Sequence, residues 1–325
     1  MRYSQALAGV VALCGILVAS CGGDSPSVPP DTRLTIAVIP KGTTHVFWKS
    51  VEAGARKAGE ELDLNIVWKG PLKENDRAMQ ISLVEQFVSA GVDGIVLAPL
   101  DDRALLRPVR TSTRSQIPVV IIDSGLQAEV GRDFASFVAT DNREGGRLAG
   151  RRLAELLGGK GGVVLLRYQV GSASTVNREE GFLETLSEYP DIKLLVDNQY
   201  AGATAGEAIQ KSQELLDELR RCDGVFCPNE STTYGMLVTL RKHNLAGRLK
   251  FVGFDTSAEL IEALKKDELQ GLVVQNPFRM GYDGVRTVLK VIQGMEVPPR
   301  IDTGVELVTG ENLNDPAIRQ LVGSR

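Results

Sequence analysis

From Leu34 onward, short apolar runs alternate with longer stretches in which apolar residues recur every three or four positions. The runs cover residues 34–39, 64–68, 94–98, 118–122, 137–139, 162–166, 193–196, 224–227, 250–253 and 272–274. Runs this short, rich in valine and isoleucine, suit strands buried on both faces. Between them, residues 51–62, 78–90, 144–157 and 204–219 carry the spacing of amphipathic helices. Strand–helix alternation predicts right-handed βαβ crossovers and parallel sheets. Ten strands exceed one compact doubly wound domain of ordinary size. Two lobes are therefore expected, dividing near residues 138–142, where Asp141 and Glu144 form a D-x-x-E capping box.

In open α/β sheets, ligands bind beyond the carboxyl ends of the strands. The residues just after each apolar run are therefore the candidates for chemistry. After the first run come Lys41, two threonines, His45, Phe47 and Trp48. An aromatic face can stack on the apolar face of a sugar ring while polar groups fix its hydroxyls. One of Phe47 and Trp48 is expected in the core of the first helix and the other against a ligand. The fourth run ends in Asp123-Ser124-Gly125, the eighth reaches Asn229, the ninth Asp255 and the tenth Gln275. A carboxylate at the end of a buried strand is costly without a partner. Asp123, Asn229, Asp255 and Gln275 are short, planar and bidentate, a set that matches vicinal hydroxyls.

The first residues break the rhythm. Arg2 precedes an apolar stretch from Ala6 to Ala19. At roughly 14 residues it is too short to span a bilayer as a helix but suits a signal-peptide core. It ends Val18-Ala19-Ser20-Cys21, which is similar to a bacterial lipobox. The reading is a lipoprotein signal peptide over 1–21, lipidation at Cys21 and a polar tether over 22–31. A lipid anchor holds the folded part at a membrane surface, in the periplasm or cell envelope, not within the bilayer. Export permits a disulfide. However, Cys222 and Cys227 are separated by most of a predicted strand, too far to bridge, so two free buried thiols are expected.

Composition removes several functions. The 325 residues are 43% hydrophobic and 24% charged, with a net charge of −4 and no basic block, which argues against nucleic acid. With only two histidines, His45 and His243, a His-rich metal site is excluded, and no D-x-D-x-D loop suggests calcium. Neither a P-loop nor a G-x-S-x-G elbow occurs. Gly158-Gly159-Lys160-Gly161-Gly162 precedes a strand and so is no dinucleotide fingerprint. Asp123 and Asp255 could in principle pair as glycosidase acid and base. The weight of the sequence is against an enzyme, and no metal or cofactor is expected.

Several segments together resemble the ribose-binding type of periplasmic sugar-binding proteins, a superfamily shared with lac-repressor-type sensing domains. They are Ile36-Ala37-Val38 with the aromatic pair, Ile117-Pro118-Val119 leading to Asp123, and Ala139-Thr140-Asp141-Asn142 with Gly145-Gly146. Others are Asn177-Arg178 with Gly181-Phe182, then Asn229, Val252-Gly253-Phe254-Asp255 and Val274-Gln275. The resemblance covers residues 32–308. It implies a type I periplasmic binding protein, an α/β chain of two similar doubly wound parallel-sheet lobes joined by a three-strand hinge. Crossings would fall near Thr140, Gln275 and Gly304. The N-terminal lobe would hold 32–139 and 276–304, and the C-terminal lobe 140–275 and 305–325. The resemblance implies ligand positions at Lys41, His45, Phe47, Trp48, Asp123, Ser124, Asn177, Arg178, Asn229, Asp255 and Gln275. A family arginine that grips hydroxyls is aligned with Val176, and another is replaced by Ser124. The implied function is a monomer that captures a sugar or polyol and delivers it to a membrane permease of the ATP-binding-cassette type. Ile39-Pro40-Lys41 and Trp68-Lys69-Gly70-Pro71 are also similar to the autoinducer-2 receptor branch, so a furanose sensor for a signalling receptor is the alternative. A transcription regulator would need an N-terminal helix-turn-helix where this chain has its leader.

Overall fold

The computed structural model describes residues 32–323. The expected leader, Cys21 and the tether lie outside them. The strands are β1 Thr35–Ile39, β2 Asn65–Trp68, β3 Gly94–Leu97, β4 Val119–Ile122, β5 Ser136–Ala139, β6 Lys160–Arg167, β7 Asp191–Tyr200, β8 Gly224–Phe226, β9 Lys250–Phe254, β10 Gly271–Gln275, β11 Arg300–Asp302 and β12 Val305–Val308. The helices are α1 Val46–Glu61, α2 Arg77–Ala90, α3 Leu106–Arg114, α4 Asn142–Leu157, α5 Ala173–Leu186, α6 Ala205–Glu214, α7 Leu216–Leu219, α8 Glu230–Lys242, α9 Ala258–Lys265, α10 Pro277–Ile292 and α11 Pro316–Gly323.

Two six-stranded sheets form, ordered β11-β5-β4-β3-β1-β2 and β12-β10-β9-β8-β6-β7. All pairings are parallel except β12 against β10. Alternate strand residues face opposite layers. In the first lobe Ile36, Val38, Val96 and Val120 pack on α1 and α10, while Ala37, Ile39, Ile95 and Ile121 pack on α2 and α3. In the second, Val163, Leu165 and Phe254 meet α4 and α5, while Val164, Val225 and Val274 meet α6, α8 and α9. Each of the ten apolar runs contributes to a strand; the central ones are covered by a helix layer on both faces, whereas β7, at the sheet edge, leaves Leu194 and Leu195 exposed.

Differences from the sequence reading have local causes. Helix α1 starts at Val46, five residues before the predicted position, so Phe47 and Trp48 lie in its first turn. Strands β11 and β12 were not predicted: each is three or four residues long and carries only a partial apolar pattern. Asp141 caps α4 as expected, accepting from Glu144 N at 3.1 Å. Cys222 and Cys227 are free and buried.

The chain passes from sheet to sheet at 140–141, 276 and 303–304. The first and third crossings are stitched together: Thr140 Oγ1 lies 3.3 Å from Thr303 Oγ1 and 3.2 Å from Gly304 O. Beside the crossings, two helix pairs pack backbone to backbone. A Cβ on Gly281 of α10 would stand 2.0 Å from Val51 O of α1, and one on Gly181 of α5 would stand 2.0 Å from Arg143 O of α4. Among the described residues no helix is long and apolar enough to cross a membrane.

Candidate functional site

Between the two sets of strand ends lies a cleft with an empty volume of about 360 Å³, its open mouth included. Lys41, His45, Phe47, Trp48, Asp123 and Glu74 line it from the first lobe. Arg178, Asn229, Asp255 and Gln275 line it from the second, with Tyr168, Ser172, Ser174, Thr175 and Glu230. The cleft therefore brings together nine of the eleven expected positions, eight of them at or just after strand ends and Arg178 from α5.

Each lobe contributes an aspartate in the left-handed backbone region, Asp123 with φ 61° and Asp255 with φ 64°. Aspartate enters this region more readily than most residues. Asp255 Oδ1 accepts from Gln275 Nε2 at 2.6 Å, and its Oδ2 accepts from Glu230 N at 3.3 Å and lies 3.9 Å from Arg178. Burial raises the Asp255 carboxyl above the usual carboxylate range, with Arg178 and Gln275 opposing. Asp123 Oδ2 stands 2.8 Å from Lys41 Nζ, an ion pair lacking the direction of a hydrogen bond. Gln275 Oε1 is buried and has no hydrogen-bond donor. Asp123 Oδ2 is thus met by the Lys41 ammonium, while Gln275 Oε1 is an acceptor in the cleft wall without a donor.

Arg178 is held on every side. Its Nε donates to Asn142 Oδ1 at 2.8 Å and an Nη to Pro228 O at 2.9 Å, and the guanidinium lies 3.9 Å from the Phe254 ring centre. Asn229 caps α8, its Oδ1 accepting from Thr232 N. His45 is the N-cap residue of α1 but makes no side-chain cap. Its ring lies instead 3.3 Å from Glu230 and 3.7 Å from Glu74. Burial opposes the imidazolium, yet the Glu230 hydrogen bond and both carboxylate charges outweigh it and raise His45 to about 9. Trp48 is the buried member of the aromatic pair and donates from Nε1 to Glu74 at 2.8 Å; Phe47 meets it edge-on at 4.9 Å.

Two expected residues do not reach the cleft. Asn177 points to an outer depression shared with Val176 and donates to Ala173 O. Adjacent helical residues are about 100° apart, so with Arg178 turned inward Asn177 turns away. Ser124 is buried behind the wall, its Oγ accepting from Ser174 N at 3.1 Å. Val176 lines the same outer depression as Asn177, and the arginine that α5 turns toward the cleft is Arg178. The sequence reading did not select Glu74, Tyr168, Ser172, Ser174, Thr175 or Glu230. Glu230 alone carried a signal, as the neighbour of Asn229 at a strand end. No cluster of three metal-ligating side chains is found among the described residues.

Comparison with known proteins agrees with this architecture. The chain is 26% identical over 322 residues to the xylitol-binding protein of Mycolicibacterium smegmatis, covering 98% of this chain and 88% of that one. It is 26% identical to the ribose import binding protein of Haemophilus influenzae, covering 85% and 91%. Among solved structures, a carbohydrate transporter solute binding protein from Agrobacterium radiobacter, in complex with D-arabinose, is 35% identical with a TM-score of 0.85, over 90% of this chain and 99% of that one. An ABC transporter solute binding protein from Agrobacterium vitis with bound D-fucose is 33% identical, also at 0.85, over 89% and 99%. These relatives are binding proteins, in keeping with a non-enzymatic reading. With two doubly wound lobes closed over a polar cleft, and the periplasmic binding protein domain matched over residues 36–296, the chain belongs to the periplasmic binding protein family.

Proposed function

We propose that this protein is a periplasmic or envelope solute-binding lipoprotein that captures a neutral sugar or polyol and delivers it to an ABC-type importer. The carrying observation is the cleft's polar inventory: strand-end carboxylates and an amide whose buried Gln275 Oε1 has no donor, beside an aromatic pair. An unmet buried acceptor costs about 1–3 kcal/mol, and a ligand hydroxyl is the donor that relieves it. The D-arabinose, D-fucose and xylitol named for the relatives are all neutral polyhydroxyl compounds.

Ligand docks on one lobe, and the other lobe completes the polar fence on closing. The moving bodies are 32–139 with 276–304, and 140–275 with 305–325, turning about the three crossings. The ligand shifts the open–closed balance by its differential affinity for the closed form. The protein acts as a monomer tethered through Cys21. Calorimetry against aldopentoses, 6-deoxyhexoses and pentitols tests the ligand class; a folded protein that binds none of them overturns it. Fractionation of cells carrying Cys21→Ser tests the anchor: the variant leaves the membrane fraction, and retention there refutes lipidation at that residue.

A further inference from the structure

His45 stands where the two lobes meet, and both of its ring nitrogens face carboxylates. Nδ1 lies 3.3 Å from Glu230 Oε2 of the second lobe, and Nε2 lies 3.7 Å from Glu74 Oε1 of its own lobe. The carbonyl of Ala203, between β7 and α6 in the second lobe, also accepts from the ring. A neutral imidazole carries one N–H and one lone pair, so it would set that lone pair against one of the two carboxylates. Only the imidazolium, with a donor on each nitrogen, suits these surroundings. The side chain is 11% exposed, so salt and water screen the carboxylates little.

The other charged and titratable groups around the ring are engaged with one another. Lys41 pairs with Asp123 at 2.8 Å, and Arg178 stands 3.9 Å from Asp255. Tyr168 Oη donates to Glu74 Oε2 at 2.9 Å and Trp48 Nε1 to Glu74 Oε1 at 2.8 Å, while Glu207 accepts from Ala203 N at 2.9 Å. The charge on His45 is therefore governed by Glu74 and Glu230. These two differ in one respect: Glu74 stays beside His45 when the cleft opens, whereas Glu230 and Ala203 leave with the second lobe.

We infer that ligand capture is coupled to uptake of one proton by His45: as the ligand draws the lobes together, Glu230 and Ala203 reach the ring, and its free nitrogen lone pair takes a proton from solvent. This rests on the ligand-driven closure proposed above. The closed form holds the proton more tightly than the open one, because opening leaves Glu74 alone beside an exposed ring. Closure is thus favoured below the open-form value and loses that advantage as pH rises through the closed-form value of about 9. Coupling between two bound species is reciprocal. The protein therefore holds its ligand more tightly as its surroundings become more acidic and releases it more readily as they become alkaline.

Calorimetry with D-arabinose at about pH 7.8, run in phosphate and in Tris, reads the proton directly, because the two buffers differ in their heat of ionisation. Wild type takes up about 0.9 proton per sugar if the open ring titrates at its ordinary 6.5. Its Kd rises about tenfold per pH unit through this range. Glu230→Gln takes up less than half as much, and His45→Gln takes up none. Uptake near zero in wild type, or unchanged uptake in Glu230→Gln, overturns the inference. A second readout needs no variant to bind. The chain has two histidines, so ring-proton NMR follows His45 by itself once His45→Gln has identified its signal. Without sugar His45 titrates near its ordinary value, and saturating D-arabinose moves the midpoint up by more than about one pH unit. A midpoint already at about 9 without sugar overturns the coupling. If D-arabinose does not bind wild type, this ligand-free midpoint alone decides the coupling, and the sugar reading is judged by its own ligand panel.

Discussion

Raising the pH should weaken this protein through His45 before any other cleft group. In the closed structure its ring pairs across the cleft with Glu230 and within its own lobe with Glu74, and it titrates at about 9 against an ordinary value of 6.5. A group whose value is raised on folding contributes stability that is complete below the unfolded value and lost as pH rises through the folded one. The window is therefore pH 6.5 to 9. At 1.36 kcal/mol per pH unit, that interval corresponds to about 3 kcal/mol. The side chain is 11% exposed, so solvent screening removes little of it. Thermal melts of wild type and His45→Gln, each saturated with the captured sugar, from pH 6 to 10 read the effect as the difference between the two curves, which cancels the titration of other groups. Wild type should lose several degrees more than the variant above pH 7, at about 2–4 °C per kcal/mol for a domain of 150–250 residues and somewhat less for a larger chain. Glu230→Gln removes only the cross-cleft partner and should fall between them. Superimposable pH profiles for wild type and His45→Gln would refute the reasoning.

Three other outcomes follow from named contacts. Gly281→Ala drives a methyl to 2.0 Å from Val51 O and should destabilise the fold by about 1–3 kcal/mol or more, read by urea unfolding, because two helix backbones must separate. Gln275→Leu removes both the amide donor to Asp255 and a buried acceptor, and should weaken binding of the captured sugar by about 1–3 kcal/mol in calorimetry and also lower the melting temperature, because the buried Asp255 Oδ1 loses its donor. Burial raises the Cys222 thiol to about 12 and Cys227 well above its ordinary value, so neither should react with a thiol reagent at pH 8 until denaturant is added.

The strand rhythm and most of the cleft were legible because one physical rule governs both. A strand buried on both faces must be continuously apolar, and the first polar residue after it stands at the ligand end of the sheet. Asp123, Asn229, Asp255 and Gln275 were found that way, and Lys41, His45 and the aromatics through the loop after β1. Glu74 was not, since it lies in the middle of the irregular loop before α2 and its role comes from Trp48 and Tyr168, distant in sequence. Ser172 and Ser174 matter through a lysine more than 130 positions away. Asn177 was overcalled because a motif names neighbours together, whereas a helix turns them apart. β11 and β12 were invisible for a related reason: their pairing depends on partners supplied by β5 and β10.

The close helix contacts at Gly281 and Gly181 determine how the molecule behaves as a machine. α4 is the first element after the crossing at 140–141, and α10 the first after the crossing at 276. Each is seated on its partner helix with almost no side chain between the backbones, so no rotamer change can absorb a twist there. Each close-packed helix pair is therefore expected to move as one body about its crossing, as if keyed to a shaft. Glu74, Tyr168 and Lys41 sit on loops outside these helix seams. Ligand choice can therefore drift through changes in those loops while the gearing between cleft and exterior stays fixed.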